Sequence, residues 1–255
     1  MIYKVPFNDG YPPQWTCPIC NKGILKEKVD SFVRKETKGS LDSHIHEDWD
    51  SDWIVYTYSC QFICTNPSCE ETVFNMGSGS VDYEVEFDHS NGFEKQVYYE
   101  QFKPKFFLPH LNIFKISKNT PVCIRSPIEE SFKLFFASPA SSANHLRIAL
   151  EKLLDYLKIK KLRLQDSKRI TISTHGRINL LPQKFCKFKE LFFAIKWLGN
   201  NGSHAQDVSM DDVMDAYDIF EIILDELFDN KTREISKLAK KIIKVKGRKS
   251  KKIHL

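Results

Sequence analysis

The sequence predicts an α+β fold in which an antiparallel β domain comes first and an all-helical bundle follows. Before about residue 120, the chain is dense in β-branched and aromatic residues, which alternate with polar residues as in half-buried strands. After that point, apolar residues recur with the period of amphipathic helices. We therefore predict a β domain at 1–120, a helical bundle at 121–230 and a basic helix or tail at 231–255.

Two cysteine pairs are the most specific motif of the β-rich part. Two residues separate Cys17 from Cys20, four separate Cys64 from Cys69, and 43 residues lie between the pairs. Such pairs present four thiolates to one zinc ion, and four protein ligands leave no open coordination position. The spacing predicts one structural Zn²⁺ per chain in a zinc-ribbon-like domain. The alternative is that the four thiols bind no metal. We interpret Cys60 as a core residue, although it could replace Cys64 as a ligand.

Three segments of the β-rich part are predicted strands, at 54–62, 81–87 and 93–107. Gly77-Ser78-Gly79 and Ser90-Asn91-Gly92 are turn signals between them, and the second is typical of a hairpin. These signals predict an antiparallel sheet built around the metal site. Two other cysteines, Cys123 and Cys186, stand alone in apolar surroundings and are interpreted as core residues.

Residues 41–53 concentrate two histidines, His44 and His46, and five acidic residues. This composition is compatible with a second metal site. We favour a solvated acidic loop, because no predicted rigid element fixes the ligands.

The helical part is punctuated by start and stop signals. Ser126-Pro127 and Ser138-Pro139 each place a capping serine before a proline, which predicts a helix start, although the second could also be a kink. A third amphipathic run, 185–198, is predicted to end at Gly199-Asn200. Ser209 caps a fourth predicted helix, whose apolar side consists of Val213, Ala216, Tyr217, Phe220, Ile223, Leu224 and Leu227.

The charge of the chain is concentrated at its C-terminal end. The net charge is +5, but residues 231–255 hold eleven Lys or Arg against one acid, Glu234, so this segment carries +10 and residues 1–230 carry −5. Residues 231–246 are predicted to prolong the bundle as a basic helix. A basic arm attracts nucleic-acid phosphates through counterion release. A solubilising, disordered tail has the same composition, so both interpretations stay open.

Several function classes are not expected from this sequence. No apolar run approaches the roughly 20 residues that a membrane-spanning helix needs. The N-terminus lacks the charged start and apolar core of a signal peptide. Seven cysteines, with two metal-type pairs, fit a reducing compartment better than a disulfide framework. We expect a cytoplasmic protein without membrane partners.

Four segments of the helical part resemble the domain of unknown function family numbered 4145. They are Ser126-Pro127, Leu146-Arg147-x-Ala149-Leu150-Glu151-x-Leu153-Leu154, Gly199-Asn200-x-x-Ser203-His204 and residues 212–227. The resemblance covers roughly residues 121–228. Members occur alone or fused to restriction-endonuclease subunits, and some stand-alone members look similar in having an N-terminal cysteine-rich zinc module. The resemblance therefore implies a role in prokaryotic phage defence.

The same resemblance implies a HEPN-like bundle (higher eukaryote and prokaryote nucleotide-binding). Many HEPN domains are metal-independent ribonucleases whose motif is an arginine, a polar residue and a histidine, usually completed across a homodimer. Asn200 and His204 match the polar residue and the histidine, but the arginine position falls on Gly199. The nearest cation is Lys196, one turn earlier, and a lysine does not clamp a phosphate bidentately as an arginine does.

We therefore predict a zinc-stabilised, non-catalytic module that binds nucleic acid or a protein partner and forms a homodimer. In this interpretation, Arg147 and Glu151 only form an i,i+4 pair that supports the bundle. The alternative is a dimeric, HEPN-like, metal-independent ribonuclease. There His204 would act as general acid and base, Asn200 and Lys196 would orient the phosphate, and the basic tail would hold RNA.

Overall fold

The computed structural model has the predicted α+β class, with an antiparallel sheet followed by helices. It falls into two compact units, one formed by residues 1–113 and 132–142 and the other by residues 114–131 and 143–255. The structure describes residues 6–8, 11–88, 93–203, 208–229 and 231–244. No helix in these ranges is long and apolar enough to cross a lipid bilayer.

The first unit is built on a five-stranded antiparallel sheet. Its strands run in the order β1-β3-β4-β5, and β2 also pairs with β3. A short helix, α1, and a 3₁₀ turn at Ser51–Trp53 lie between β2 and β3. The antiparallel sheet predicted for this part is confirmed. The element bounds are β1 Leu25–Glu27, β2 Val33–Glu36, α1 Lys38–Ser43, β3 Val55–Cys64, β4 Thr72–Asp88 and β5 Phe93–Leu108.

An aromatic core covers one face of this sheet. Trp15 and Phe62 are fully buried, and their ring centroids lie 5.3 Å apart in an edge-to-face arrangement. Phe7 packs on Trp15 in the same manner at 5.7 Å, and Phe102 is also fully buried. Each such side chain contributes about 1.5–3 kcal/mol by leaving water. Successive side chains of a strand point to opposite faces, so every second residue over most of β3 is buried in this core. The residues between them lie on the other face of the sheet, which we call the open face.

Strand β4 runs through Gly77-Ser78-Gly79 without a break, so the predicted turn is wrong. The ladder with β5 shifts register between Met76 and Gly77, which is a β-bulge. A Cβ at Gly79 would lie 2.6 Å from ring carbons of Phe102. The glycines in this strand therefore permit close packing, and they do not reverse the chain.

The second unit contains most of the helices, together with a hairpin that the prediction of an all-helical bundle did not include. The hairpin turns at Asp166 and Ser167, both with positive φ. Its turn has no glycine, which is why the usual hairpin signal is missing from the sequence. The elements are α2 Val122–Leu134, α3 Pro139–Tyr156, β6 Leu162–Gln165, β7 Lys168–Thr171, α4 Thr174–Asn179, α5 Lys189–Ser203, α6 Met210–Leu224 and α7 Lys231–Lys244.

Helix α2 begins one turn before the predicted start at Ser126-Pro127, so that prediction is wrong. The carbonyl of Pro121 accepts the first helical hydrogen bonds, from the N–H groups of Ile124 and Arg125 at 2.9 and 3.0 Å. The Arg125 guanidinium also donates to three carbonyls of the preceding loop, those of Ser117, Lys118 and Thr120. These bonds hold the earlier turn in helical form, and Pro127 lies inside the helix.

Two other predicted helix starts are confirmed. Helix α3 begins at Pro139, and the hydroxyl of Ser138 accepts a hydrogen bond from the backbone N–H of Ser141 at 3.3 Å. Ser209 and Asp212 form a capping box at the start of α6. The apolar side predicted for α6 is buried at Val213, Ala216, Tyr217, Phe220, Ile223 and Leu224.

Helix α5 continues past Gly199-Asn200 to Ser203, so the predicted helix end is wrong. Gly199 is buried against α3, where a Cβ would overlap the Cβ of Arg147 and lie 2.9 Å from the carbonyl oxygen of Ala143. The glycine therefore permits α5 and α3 to approach closely. The sequence alone does not distinguish such a glycine from one that ends a helix, because only tertiary contacts differ between them.

Candidate functional site

Four cysteines of the first unit converge on one point. The Sγ atoms of Cys17, Cys20, Cys64 and Cys69 all lie within 4.8 Å of one another. The Cys17–Cys69 and Cys20–Cys64 Sγ pairs are 3.9 and 3.6 Å apart. Four sulfurs placed tetrahedrally at about 2.3 Å from a zinc ion are separated by about 3.8 Å. The cluster therefore has the dimensions of a four-thiolate metal site.

Two loops bring these cysteines together. Cys64 ends β3, where it pairs with Leu25 of β1, and Cys17 donates its backbone N–H to the carbonyl of Gly23 at 2.8 Å. The loops are joined directly, because the N–H of Thr65 donates to the carbonyl of Ile24 at 2.9 Å and the N–H of Ile24 donates to the Thr65 hydroxyl at 3.0 Å. The sheet thus fixes the distance between the two cysteine pairs.

Backbone N–H groups surround two of the sulfurs. The N–H of Gly23 donates to Cys20 Sγ and the N–H of Asn66 donates to Cys64 Sγ, each at 3.4 Å. Gly23 is required here, since a Cβ would overlap Cys64 Sγ and lie 2.8 Å from the Asn66 nitrogen. Hydrogen bonds of this kind orient metal ligands and stabilise their thiolate form.

The protonation of the cluster depends on its environment. The backbone N–H of Gly23 lowers the pKa of the Cys20 thiol to about 6, whereas burial raises the pKa of Cys64 to about 12. Cys64 therefore stays protonated at neutral pH unless a cation replaces its proton. A divalent ion bound by all four sulfurs would provide that charge, and a set of four soft sulfur donors suits zinc or iron.

The remaining cysteines lie outside this cluster. Cys60 is buried and its thiol contacts Asn75 Oδ1 at 3.8 Å, so its interpretation as a core residue is confirmed and it does not replace Cys64. Cys123 and Cys186 are exposed, and their prediction as core residues is wrong. Cys186 lies in the 3₁₀ turn at Gln183–Phe188, where its thiol faces backbone carbonyls.

The histidine-rich loop does not assemble a second metal site. His44 Nε2 lies 2.7 Å from Glu36 Oε1, and its ring packs against Trp49 at a tilt of 52° with centroids 4.5 Å apart. His46 Nδ1 lies 3.9 Å from Asp48 Oδ2. Within the described ranges, the four cysteines are the only group of three or more His, Cys, Asp or Glu placed to hold a metal ion.

The polar residues predicted in the helical part occupy the last turns of α5. Lys196 is only 8% exposed, and its ammonium lies 3.3 Å from the ring centroid of Trp197. Asn200, one turn later, is half-buried. The third predicted residue, His204, lies outside the described residues. The structure therefore places Lys196 and Asn200 one turn apart on the same helix, and their predicted roles stay predictions.

A polar network on α3 lies beside this segment. Arg147 Nη1 contacts Glu151 Oε1 at 2.7 Å, which confirms the predicted i,i+4 pair, and Arg147 Nη2 donates to Asn144 Oδ1 at 3.1 Å. The Thr174 hydroxyl donates to the same Glu151 oxygen at 2.9 Å. Arg147 packs on Gly199, so a guanidinium-bearing residue of α3 lies against the helix that carries Lys196 and Asn200. This packing was not predicted, because Gly199 was interpreted as a helix end.

Comparison with known families matches most of the chain in two segments. Residues 5–107 match a Domain of unknown function (DUF8608), and residues 129–245 match a Domain of unknown function (DUF4145). The second match supports the predicted resemblance. No curated protein and no solved structure matches the chain.

Proposed function

We propose that this protein is a zinc-stabilised, non-catalytic module that binds nucleic acid, and that helix α7 contacts the phosphate backbone. The observation that carries the proposal is the amphipathic surface of α7. Lys240, Lys241 and Lys244 are all exposed on this helix. A row of exposed lysines on a helix matches the regular negative charge of a nucleic-acid strand.

Zinc is the metal that we propose for the four-cysteine cluster. The spacing of the sulfurs and their soft donor type support it. With four protein ligands no position is left for a substrate or an activated water. The metal would then stabilise the fold of the first unit, and activity must be sought elsewhere in the chain.

The two sides of α7 differ in chemistry. At about 100° per residue, Ile235, Leu238 and Ile242 fall on one side of the helix and the three lysines on the other. The three apolar side chains are 66%, 56% and 51% exposed. The charged side can therefore contact phosphates while the apolar side contacts a protein.

We expect the charged side of α7 to control nucleic-acid affinity. Lys240→Gln, Lys241→Gln and Lys244→Gln together should weaken binding to labelled RNA and DNA by about tenfold or more at low salt, because fewer counterions are released. Fluorescence anisotropy measures this effect. The matched control removes the same charge from three exposed lysines outside α7, as Lys118→Gln, Lys152→Gln and Lys160→Gln. Equal affinities for the triple lysine variant and the native protein would contradict the proposal.

The apolar side of α7 supports the predicted homodimer. A continuous stripe of exposed isoleucine and leucine is unfavourable in water and is covered when two helices pack together. We expect light scattering to give the mass of two chains for the native protein. Ile235→Ser with Leu238→Ser should give the mass of one chain. The triple lysine variant should remain dimeric, and a monomeric native protein would refute this part of the proposal.

A second candidate function is the HEPN-like ribonuclease, and the position of Arg147 favours it. Its guanidinium belongs to the helix that packs on Gly199, so a neighbouring helix could supply the cation that the motif lacks. RNA cleavage in magnesium-free buffer that disappears in both Arg147→Lys and His204→Ala would favour this candidate over the non-catalytic module. Intact RNA under the same conditions would exclude it. We also propose the role in prokaryotic phage defence that the resemblance stated from the sequence implies.

A further inference from the structure

The open face of the sheet in the first unit contains a shallow trough of about 490 Å³. One cross-strand row forms its centre, since Val33 pairs with Ser59, Ser59 with Met76 and Met76 with Phe106. Three of these side chains are apolar and exposed, Val33 by 62%, Met76 by 52% and Phe106 by 56%. Ser59 therefore lies low between larger apolar side chains, and it forms part of the floor of the trough together with Thr57 and Ser78, which also line it.

The β-bulge explains why a lysine and a phenylalanine that are neighbours in the chain both line the trough. Met76 pairs with Phe106 but Gly77 pairs with Pro104, so Lys105 has no partner on β4. Two consecutive side chains, Lys105 and Phe106, therefore both line the trough, where a regular strand would turn one of them away. The bulge thus places a cation beside an exposed aromatic ring.

Lysines from two strands give the trough a positive charge. Lys35 of β2 and Lys105 of β5 line it, and no lining residue is acidic. Lys35 is the cross-strand neighbour of Thr57, and Thr57 is the cross-strand neighbour of Ser78. The ligand that these groups fit has a planar, apolar part and a negative charge. A nucleotide has both, because its base stacks on an aromatic ring and its phosphate pairs with lysine.

We propose that this trough binds single-stranded RNA, with a base stacked on Phe106 and the flanking phosphates held by Lys35 and Lys105. The bases of a duplex are already stacked on one another and cannot present a face to Phe106. The hydroxyls of Thr57, Ser59 and Ser78 on the floor can pair with the ribose 2′-hydroxyl, which favours RNA over DNA. This inference rests on the proposed function, since it names the substrate class of the same module.

The two surfaces have separable roles. The lysines of α7 contact backbone phosphates of any nucleic acid, and this contact carries no preference for strand type. The trough adds the preference for a single strand, because only an unpaired base can stack there. A variant of the trough therefore changes the ratio between single-strand and duplex affinities, whereas a variant of α7 lowers both.

The test uses the full chain and three labelled probes of equal length, a single-stranded RNA, the matching DNA strand and an RNA duplex. Phe106→Ala should lower the affinity for single-stranded RNA by about tenfold and leave the duplex affinity unchanged. Phe74→Ala is the matched control, because Phe74 is 51% exposed on the same strand pair but does not line the trough. Because Phe106 is exposed, both variants should keep the native melting temperature.

The possible outcomes separate the inference from the proposed function. If Phe106→Ala binds single-stranded RNA as the native protein does, while the α7 lysine variant loses affinity, the trough proposal is overturned and the function stands. Equal native affinities for the RNA and DNA strands would overturn the preference for RNA. Absence of native binding to all three probes would overturn both. Lys35→Gln with Lys105→Gln should reproduce the loss seen in Phe106→Ala, and unchanged affinity would overturn the assignment of the phosphates.

Discussion

Replacing Cys64 with serine should unfold the first unit of the protein. Cys64 is a member of the four-sulfur cluster and also the last residue of β3, so in the proposed zinc site its loss removes a ligand at the place where two loops meet. The apparent free energy of metal binding in structural zinc sites is about 10–16 kcal/mol. A whole domain is stable by only about 5–15 kcal/mol. The unit should therefore not remain folded without its metal.

Thermal unfolding followed by circular dichroism measures this effect. The strand signal of Cys64→Ser should be lost, and a strong chelator should produce the same spectrum from the native protein. Cys186→Ser is the matched control, because Cys186 is exposed and outside the cluster. A Cys64→Ser protein with the native spectrum and melting temperature would show that the metal does not hold this unit together.

Replacing Gly199 with leucine should destabilise the second unit by about 3 kcal/mol or more. A side chain at this position meets the Cβ of Arg147 and the carbonyl oxygen of Ala143, and neither atom belongs to the flexible end of a side chain. Leucine is the better helix former, so the loss cannot come from helix propensity. It must come from the forced separation of α5 and α3.

Urea unfolding monitored by the helical signal measures the loss of stability. The control is Gly39→Leu in α1. A Cβ at Gly39 has no atom within 4 Å, so the free energy of unfolding of this variant should not fall. Gly199→Asn adds a second comparison. Asparagine is tolerated at a glycine that ends a helix but should be as damaging as leucine at a glycine between helices. A stable Gly199→Asn protein would contradict the packing role.

Local signals in the sequence predicted the parts of the structure that depend on local chemistry. The cysteine spacing predicted the cluster because the two cysteines of each pair are near neighbours in the chain. Ser209 predicted the start of α6 because a capping box needs only four residues. The alternation along β3 predicted both its type and its buried face. Each of these signals is contained in a short segment, although distant segments complete the cluster and the sheet.

Long-range contacts explain what the sequence did not predict. Gly199 and Gly77 resemble turn signals. Gly199, however, lies where α5 and α3 pack closely, and Gly77 lies at a β-bulge. The helix start at Val122 depends on Arg125 reaching back to a preceding loop. The trough consists of residues from four strands, and it exists only once the register of β2 to β5 is set. Neither glycine packing nor strand register can be obtained from one segment alone.

The central proposal is that this protein binds nucleic acid through its basic surface while a zinc ion stabilises its first unit. The most direct test is the affinity of the native, metal-loaded protein for a single-stranded RNA, measured by anisotropy over a range of salt concentrations. The claim predicts tight binding at low salt and a linear fall of log affinity with log salt, with a slope that reports several neutralised phosphates. No binding at low salt, or an affinity that does not change with salt, would contradict it.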